Sequence, residues 1–219
     1  MKTDDFIDQL ARDVEAVAPL QRAWLRATTW LVGAVVYMSA LTGIMTSTAD
    51  LAANGSSSRF LFPQIAAIAI SGAAAAAAFA SVVPGASVRV LLWPAGAIAV
   101  WLGTLLVGSL QEWQRIGPIG LAPPEEWLCV AMIALGGALP ALGMMLMLRR
   151  GAPLTPRVTT ALAVLAAAAL ANVGVCVSHP HPSSAVVLIW HGATLLVLVA
   201  ASSWAGRSLL SWNRIGHLN

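Results

Sequence analysis

The side chains in this sequence that are suited to metal or redox chemistry lie mostly in one stretch, Val175 to His191. The stretch reads VCVSHPHPSSAVVLIWH and holds one of two cysteines and three of four histidines. Thiolate and imidazole are ligands for soft or borderline ions such as Cu(I) or Zn(II), and two thiols can also form a disulfide. The candidate residues for signal sensing or metal binding are Cys129, Cys176, His179, His181 and His191.

The composition determines which kind of fold must position these residues. Of the 219 residues, 58% are hydrophobic and only 10% are charged, with a mean hydropathy of +0.80. Soluble domains carry roughly 25% charged residues, so this chain cannot cover a water-exposed surface. The composition indicates an integral membrane protein in contact with the lipid bilayer. The net charge of +3 comes from scattered basic residues and predicts no direct nucleic-acid partner.

Six stretches are long and apolar enough to cross a bilayer as helices, which takes about 20 residues each. We therefore predict an all-α integral membrane protein with six transmembrane helices. The predicted spans are Ala27–Thr46, Phe60–Val83, Val88–Leu110, Trp127–Leu148, Val158–Ser178 and Ala185–Gly206.

The basic residues predict the orientation of these spans. With the N-terminus in the cytoplasm, ten of the 12 basic residues fall on the inner side, and only Arg59 and Arg115 fall outside. Basic residues in short loops favour the cytoplasmic side. We predict that both termini are cytoplasmic, and we divide the chain into a soluble segment (1–23), a transmembrane domain (24–212) and a tail (213–219).

The soluble segment is predicted to form a short amphipathic helix capped by Thr3. Residues 1–20 hold five acidic and two basic residues, a net charge of −3. The helix has three possible roles: lying on the membrane, packing on the bundle's own loops, or binding a soluble partner in a groove. An acidic helix fits an anionic membrane surface poorly, and we favour the third role. The predicted contact residues are Asp4, Asp5, Phe6, Ile7, Asp8, Leu10, Val14 and Val17.

The predicted topology brings both cysteines to one depth at the outer side. Cys129 lies two residues into the fourth span and Cys176 two residues from the end of the fifth. At ~1.5 Å per residue, both thiols lie about 3 Å inside the outer boundary. His191 lies deeper, where a polar ring normally finds a partner. A metal site and a disulfide both remain open.

Other function classes lack the residues that they need. The spans contain no carboxylate for proton coupling, and the chain has no phosphate-binding loop and no Ser–His–Asp set. These absences argue against a proton-driven transporter and against an enzyme. A small six-helix metal or solute permease is the main alternative, and a haem- or quinone-linked redox protein is a third.

The chain resembles the NrsF-type family of membrane anti-sigma factors, named for negative regulation of sigma F. The matching pieces are Met1-Lys2-Thr3-Asp4-Asp5-Phe6-Ile7, Leu148-Arg149-Arg150-Gly151-Ala152-Pro153, Trp190-His191 and Arg207-Ser208-Leu209-Leu210-Ser211-Trp212. The resemblance implies that the cytoplasmic N-terminal segment holds an extracytoplasmic-function sigma factor at the bacterial inner membrane. It further implies that heavy-metal or oxidative stress releases the sigma factor, with two cysteines involved in sensing.

One of the two cysteines departs from the family's pattern. Cys129 matches the first cysteine's place at the start of the fourth span. Where the family has a Cys-Pro pair before Trp-His, this chain has His179-Pro180, and Cys176 lies three residues earlier. This departure favours a mixed Cys/His metal site over a disulfide switch.

Overall fold

The computed structural model describes residues 3, 7, 11, 20–45, 58–85, 87–117, 127–151, 153–178 and 183–210. This part of the chain is helical, contains no strand, and includes six helices long and apolar enough to cross a membrane. The prediction of an all-α fold with six helices able to span a membrane is therefore confirmed for the described residues. The helices are α1 (Ala23–Met45), α2 (Ser58–Ala80), α3 (Trp93–Ile116), α4 (Trp127–Leu148), α5 (Pro156–Ser178) and α6 (Ser184–Leu209).

Two helices extend furthest beyond the apolar runs that predict them. α1 begins at Ala23 and so includes Arg26, which the sequence places before the first span. α3 follows a 3-10 turn at Val88–Leu92 and runs past Leu110 to Ile116, so that it includes Glu112. A helix continues while its backbone hydrogen bonds continue, whatever the polarity of the side chains. α3 ends where Gly117 adopts a φ of 75°, and its N–H bonds the Trp113 carbonyl.

Consecutive helices alternate in direction, so the bundle has two distinct ends. At one end Arg59, at the start of α2, donates to Gln111 near the end of α3. At the other end Ser81, just after α2, shares a hydrogen bond with Thr159 in the first turns of α5. We call these the cysteine end, which holds Cys129, Cys176 and His191, and the arginine end, which holds Arg26, Arg149 and Arg150.

α5 is the central helix of the bundle. It packs against α1, α2, α4 and α6. The most apolar part of α5 is 67% buried, compared with 17% for α1 and for α3. Its buried face is mostly alanine, from Ala166 to Ala171, opposite the alanines of α2. Small side chains let helices approach closely in lipid. This close approach leaves 14 of the 23 residues of α5 buried.

The contact between α5 and α6 depends on a glycine. A Cβ atom at Gly206 would collide with the Oγ1 of Thr160 and with the Pro156 carbonyl oxygen. Thr160 donates from Oγ1 to the Ser202 carbonyl of α6 at 3.0 Å. The two backbones therefore meet at the arginine end because Gly206 has no side chain.

Candidate functional site

Three buried polar side chains meet near the cysteine end of the bundle, where α5 packs against α6. The Nδ1 atom of His191 lies 2.6 Å from the Oδ1 atom of Asn172 and 3.6 Å from the Sγ atom of Cys176. Sγ lies 3.9 Å from the same Oδ1. Asn172 and Cys176 are fully buried, and His191 is 1% exposed. We call this group the Asn–Cys–His cluster.

The local structure of α6 places His191 in the cluster. α6 starts with one α-helical turn, Ser184–Val186, continues as a π-helix at Val187–His191, and becomes α-helical from Gly192. A π-helix has more residues per turn than an α-helix, so the side chains that follow it point to a different face of the helix. His191 is the last residue of this segment and points into the bundle interior.

The start of α6 is fixed to α3. The Glu112 carboxylate accepts from the Ser184 backbone N–H at 3.0 Å and from the Ser184 hydroxyl at 3.1 Å. Ser183 also caps this turn, with its hydroxyl accepting from the Val186 N–H. A carboxylate at a helix N-terminus accepts hydrogen bonds from unpaired N–H groups and is stabilised by the positive end of the helix dipole. These contacts set the position from which the π-helix carries His191 inward.

The hydrogen bonds indicate the tautomer of His191. An amide oxygen only accepts, so Nδ1 carries the hydrogen in the 2.6 Å contact with Asn172. The lone pair of the neutral ring then lies on Nε2, which is the usual metal-binding or proton-accepting nitrogen. Asn172 therefore orients the ring in the way that a carboxylate or carbonyl orients a metal-binding histidine.

Cys129 lies in the first turn of α4 and is 3% exposed. It belongs to the same buried core as Cys176, and α4 contacts both α5 and the π-helical segment of α6. Within the described residues, no three His, Cys, Asp or Glu side chains are grouped so as to hold a metal ion. Cys129, Cys176 and His191 thus do not form a three-ligand site by themselves. The other two predicted ligands, His179 and His181, lie outside the described residues.

A cavity of about 250 Å³ opens at the cysteine end between α1, α4 and α5. Gly174, Val175 and Ser178 of α5 line it, together with Met38 and Met132 from the neighbouring helices, whereas Cys176 itself does not. The lining is mostly apolar. The cavity brings open space to the turn of α5 that holds the buried thiol.

Asn172 and Glu112 were not identified from the sequence. Asn172 lies inside an apolar span, four residues before Cys176, and so shares its helix face. A polar residue inside an otherwise apolar span is the sequence feature that could have identified Asn172. Glu112 lay just beyond the predicted end of the third span, and no sequence pattern pairs it with Ser184.

The predicted partner-binding segment lies almost entirely outside the described residues. Ile7 is described, is helical and is 55% exposed. The predicted contacts outside the described part are Asp4, Asp5, Phe6, Asp8, Leu10, Val14 and Val17.

Comparison with known proteins identifies the family. Searches among curated proteins and among solved structures found no match. A family model described as negative regulator of sigma F matches residues 10–212. The match covers most of the chain and all six helices, and it confirms the resemblance seen in the sequence. The chain belongs to the NrsF family, the negative regulators of sigma F.

Proposed function

We propose that this protein is an anti-sigma factor of the bacterial inner membrane that releases its sigma factor when a signal reaches the Asn–Cys–His cluster. Family membership makes a sigma factor the expected partner. The observation that carries the sensing role is the contact of Cys176 with a histidine whose ring Asn172 holds. A buried polar group in a membrane bundle is costly, and such groups mark functional sites.

The sigma factor is of the extracytoplasmic-function type and binds residues 1–23. The apolar stripe around Leu10 docks in a groove of the sigma factor, and Asp4, Asp5 and Asp8 pair with its basic rim. The acidic composition of this segment supports a basic protein partner. The family match begins at residue 10 and includes the second half of the segment.

The arginine end faces the cytoplasm and the cysteine end faces the periplasm. The charge distribution of the loops supports this orientation, with ten of the 12 basic residues on one side. In this orientation residues 1–23 lie in the cytoplasm, where sigma factors are found. The thiols lie toward the periplasm, which external metals and oxidants reach first.

The signal is a soft metal ion or an oxidant that reacts with Cys129, Cys176 and the nearby histidines. A buried thiol is unreactive until a reagent reaches it, and the cavity lined by Val175 and Ser178 supplies space for a small reagent on the same turn of α5 as Cys176. Binding or oxidation favours a second packing of α4, α5 and α6, and this packing no longer holds the sigma factor. The signal acts by its different affinity for the two packings.

The partner is tested by purifying the full-length protein from a bacterial membrane together with a co-expressed extracytoplasmic-function sigma factor of the same genome. We expect the two proteins to co-purify, and we expect Leu10→Asp to abolish the complex because a carboxylate enters the apolar groove. Gln9→Asp adds the same charge beside the stripe and serves as control. Co-purification that survives Leu10→Asp would remove the stripe from the interface.

The sensing residues are tested with a sigma-dependent reporter in cells exposed to copper, zinc or the thiol oxidant diamide. Cys129→Ser and Cys176→Ser should each keep repression and lose induction, because the sigma-binding segment is unchanged. Met144→Leu removes a different buried sulfur and should respond like the wild type. Full induction in both serine variants would exclude the thiols from sensing.

A further inference from the structure

Arg26 is a buried arginine at the arginine end of α1. It is only 5% exposed, and its Nη2 atom donates to the Met147 carbonyl oxygen of α4 at 2.8 Å. Its guanidinium lies 4.7 Å above the centre of the Phe79 ring, at the end of α2. An arginine over an aromatic face is a favourable contact, stronger when desolvated. One side chain of α1 therefore contacts two other helices.

Trp30 makes a second connection between the same two helices. Its Nε1 atom donates to the Pro140 carbonyl oxygen of α4 at 2.9 Å. Arg26 and Trp30 are four residues apart and lie on one face of α1. Their acceptors are seven residues apart, which is two helical turns along one face of α4. The two hydrogen bonds fix both the height and the rotation of α1 on α4.

Within the described residues no carboxylate lies near Arg26, and the like charge of Arg150 is close enough to act on it. The single carboxylate in the described part of the chain belongs to Glu112, at the opposite end of the bundle. The Nη1 atom of Arg26 is buried and has no hydrogen-bond acceptor among the described residues. Burying a charge with only a carbonyl and a ring as partners is costly. Simple anchoring of a helix in lipid does not require a buried charge, since an exposed arginine such as Arg22 does that by reaching the interface.

The two connected helices adjoin the proposed sensing site and the proposed sigma-binding segment. α4 carries Cys129 in its first turn, at the cysteine end. Residues 1–23, the proposed sigma-binding segment, lead directly into α1, which begins at Ala23. α1 also packs against α2 and α5, but within the described residues its hydrogen bonds to another helix are those of Arg26 and Trp30, and both go to α4.

We propose that Arg26, assisted by Trp30, is the positioning residue that makes the sigma-binding segment follow the movement of α4. The inference rests on the proposed function and names the route by which the signal reaches the partner. When the signal displaces α4 at the cysteine end, α1 shifts with it, and the segment leaves the geometry that holds the sigma factor. A protein without this connection still binds the sigma factor but does not release it.

The connection is tested first by a distance, without any partner. Spin labels are attached through a non-natural ketone amino acid at Leu20 and Leu154, which leaves the native cysteines intact. Both positions are exposed at the arginine end, before α1 and after α4. The full-length protein is measured in lipid nanodiscs by double electron–electron resonance. We expect one narrow distance distribution, which broadens in Arg26→Leu and, to a lesser extent, in Trp30→Phe.

The chain offers matched controls for both variants. Arg22→Leu removes the same charge from an exposed site one turn earlier, and Trp24→Phe makes the same ring change at a side chain that is 58% exposed. Both should keep the narrow distribution. Where Arg26→Leu fails to fold, Trp30→Phe decides, because it keeps both the charge and an aromatic ring. Unchanged distributions in the Arg26 and Trp30 variants would overturn the inference.

The second readout separates positioning from stability. In cells with the sigma-dependent reporter, Arg26→Leu should keep repression and lose induction by copper and by diamide, whereas Arg22→Leu keeps both. Normal induction in Arg26→Leu, with the protein present at wild-type level, overturns the inference. If the wild type does not bind a sigma factor, the proposed function fails, while the distance measurement still decides whether Arg26 couples α1 to α4.

Discussion

At the level of single residues, the hydrogen bond between Asn172 and His191 decides how the Asn–Cys–His cluster is built. The ring and the amide are both buried, so neither can exchange its partner for water. Sulfur is a weak acceptor, and Cys176 cannot replace Asn172 as the partner of the Nδ1–H. The orientation of the ring, and with it the position of Nε2, therefore depends on one amide oxygen.

We predict that Asn172→Leu destabilises the folded protein by about 1–3 kcal/mol, because it leaves the Nδ1–H of His191 buried without a good acceptor. Thermal or denaturant unfolding in detergent measures the change. The double variant Asn172→Leu/His191→Leu should recover most of the loss, since removing both polar partners can be nearly neutral.

Thr194→Val is the control for this pair of variants. It removes a hydroxyl that is 5% exposed and that donates only to the Trp190 carbonyl of its own helix. A double variant as unstable as the single one would show that Asn172 is needed for packing and not for orienting the ring.

At the level of helices, the start of α6 depends on α3 through Glu112. We predict that Glu112→Ala frees the first turn of α6 and costs about 0.5–2 kcal/mol, the usual effect of losing a helix cap. Backbone amides from Ser184 to His191 should then exchange hydrogen faster, as measured by mass spectrometry of the protein in nanodiscs.

Gln111→Ala is the neighbouring control for Glu112. It removes the exposed contact with Arg59 and leaves the cap of α6 in place. Amide exchange in α6 that is equal in the two variants would contradict a specific role for the Glu112 carboxylate.

The close approach of α5 and α6 gives a second prediction for a helix. Gly206→Ala should destabilise the bundle by about 1–3 kcal/mol, because the added methyl group meets Thr160 and the Pro156 carbonyl. Gly192→Ala, in the same helix, has open space at its Cβ and should be neutral or slightly stabilising. Unfolding temperatures of the two variants provide the comparison, and equal values would exclude a packing role for Gly206.

How well the sequence predicts a helix depends on what bounds it. The limits of α4 were predicted as Trp127–Leu148 and are found there, because charged pairs stand on both sides of one apolar run. The π-helical segment of α6 was not predicted, since a π-turn has no apolar period of its own. Arg26 was interpreted as a charge flanking the first span, because its carbonyl acceptor on α4 is 121 residues away in sequence. Local patterns predict spans, whereas contacts between spans decide which polar residues stay inside.

The same distinction between local sequence pattern and contacts between helices applies to the candidate site. The sequence singled out Cys129, Cys176 and His191, because soft and ionisable side chains are rare in such a chain. The structure joins Cys176 to His191 and adds Asn172, whose role depends on how α5 and α6 face each other. No periodicity within one helix contains that information.

At the level of the whole molecule, the separation of the two ends is what permits a regulatory role. Chemistry-bearing residues meet at the cysteine end, and most arginines lie at the arginine end. Each helix runs between the two ends, so packed side chains form a continuous physical connection from one end to the other. α5 contacts four neighbours, whereas α1 is joined to α4 by the hydrogen bonds of Arg26 and Trp30.

The orientation of the bundle is the prediction on which the whole mechanism depends. Fusions of alkaline phosphatase, which is active only in the periplasm, should be active after Ile116 and inactive after Arg150 or at the C-terminus. A green fluorescent protein at the C-terminus should fluoresce, as it does in the cytoplasm. The reason is that the basic loops stay on the cytoplasmic side. The opposite pattern would place residues 1–23 outside the cell, where no sigma factor exists, and would exclude the anti-sigma mechanism. It would leave the Asn–Cys–His cluster facing the cytoplasm, within reach of cytoplasmic thiols and metals only.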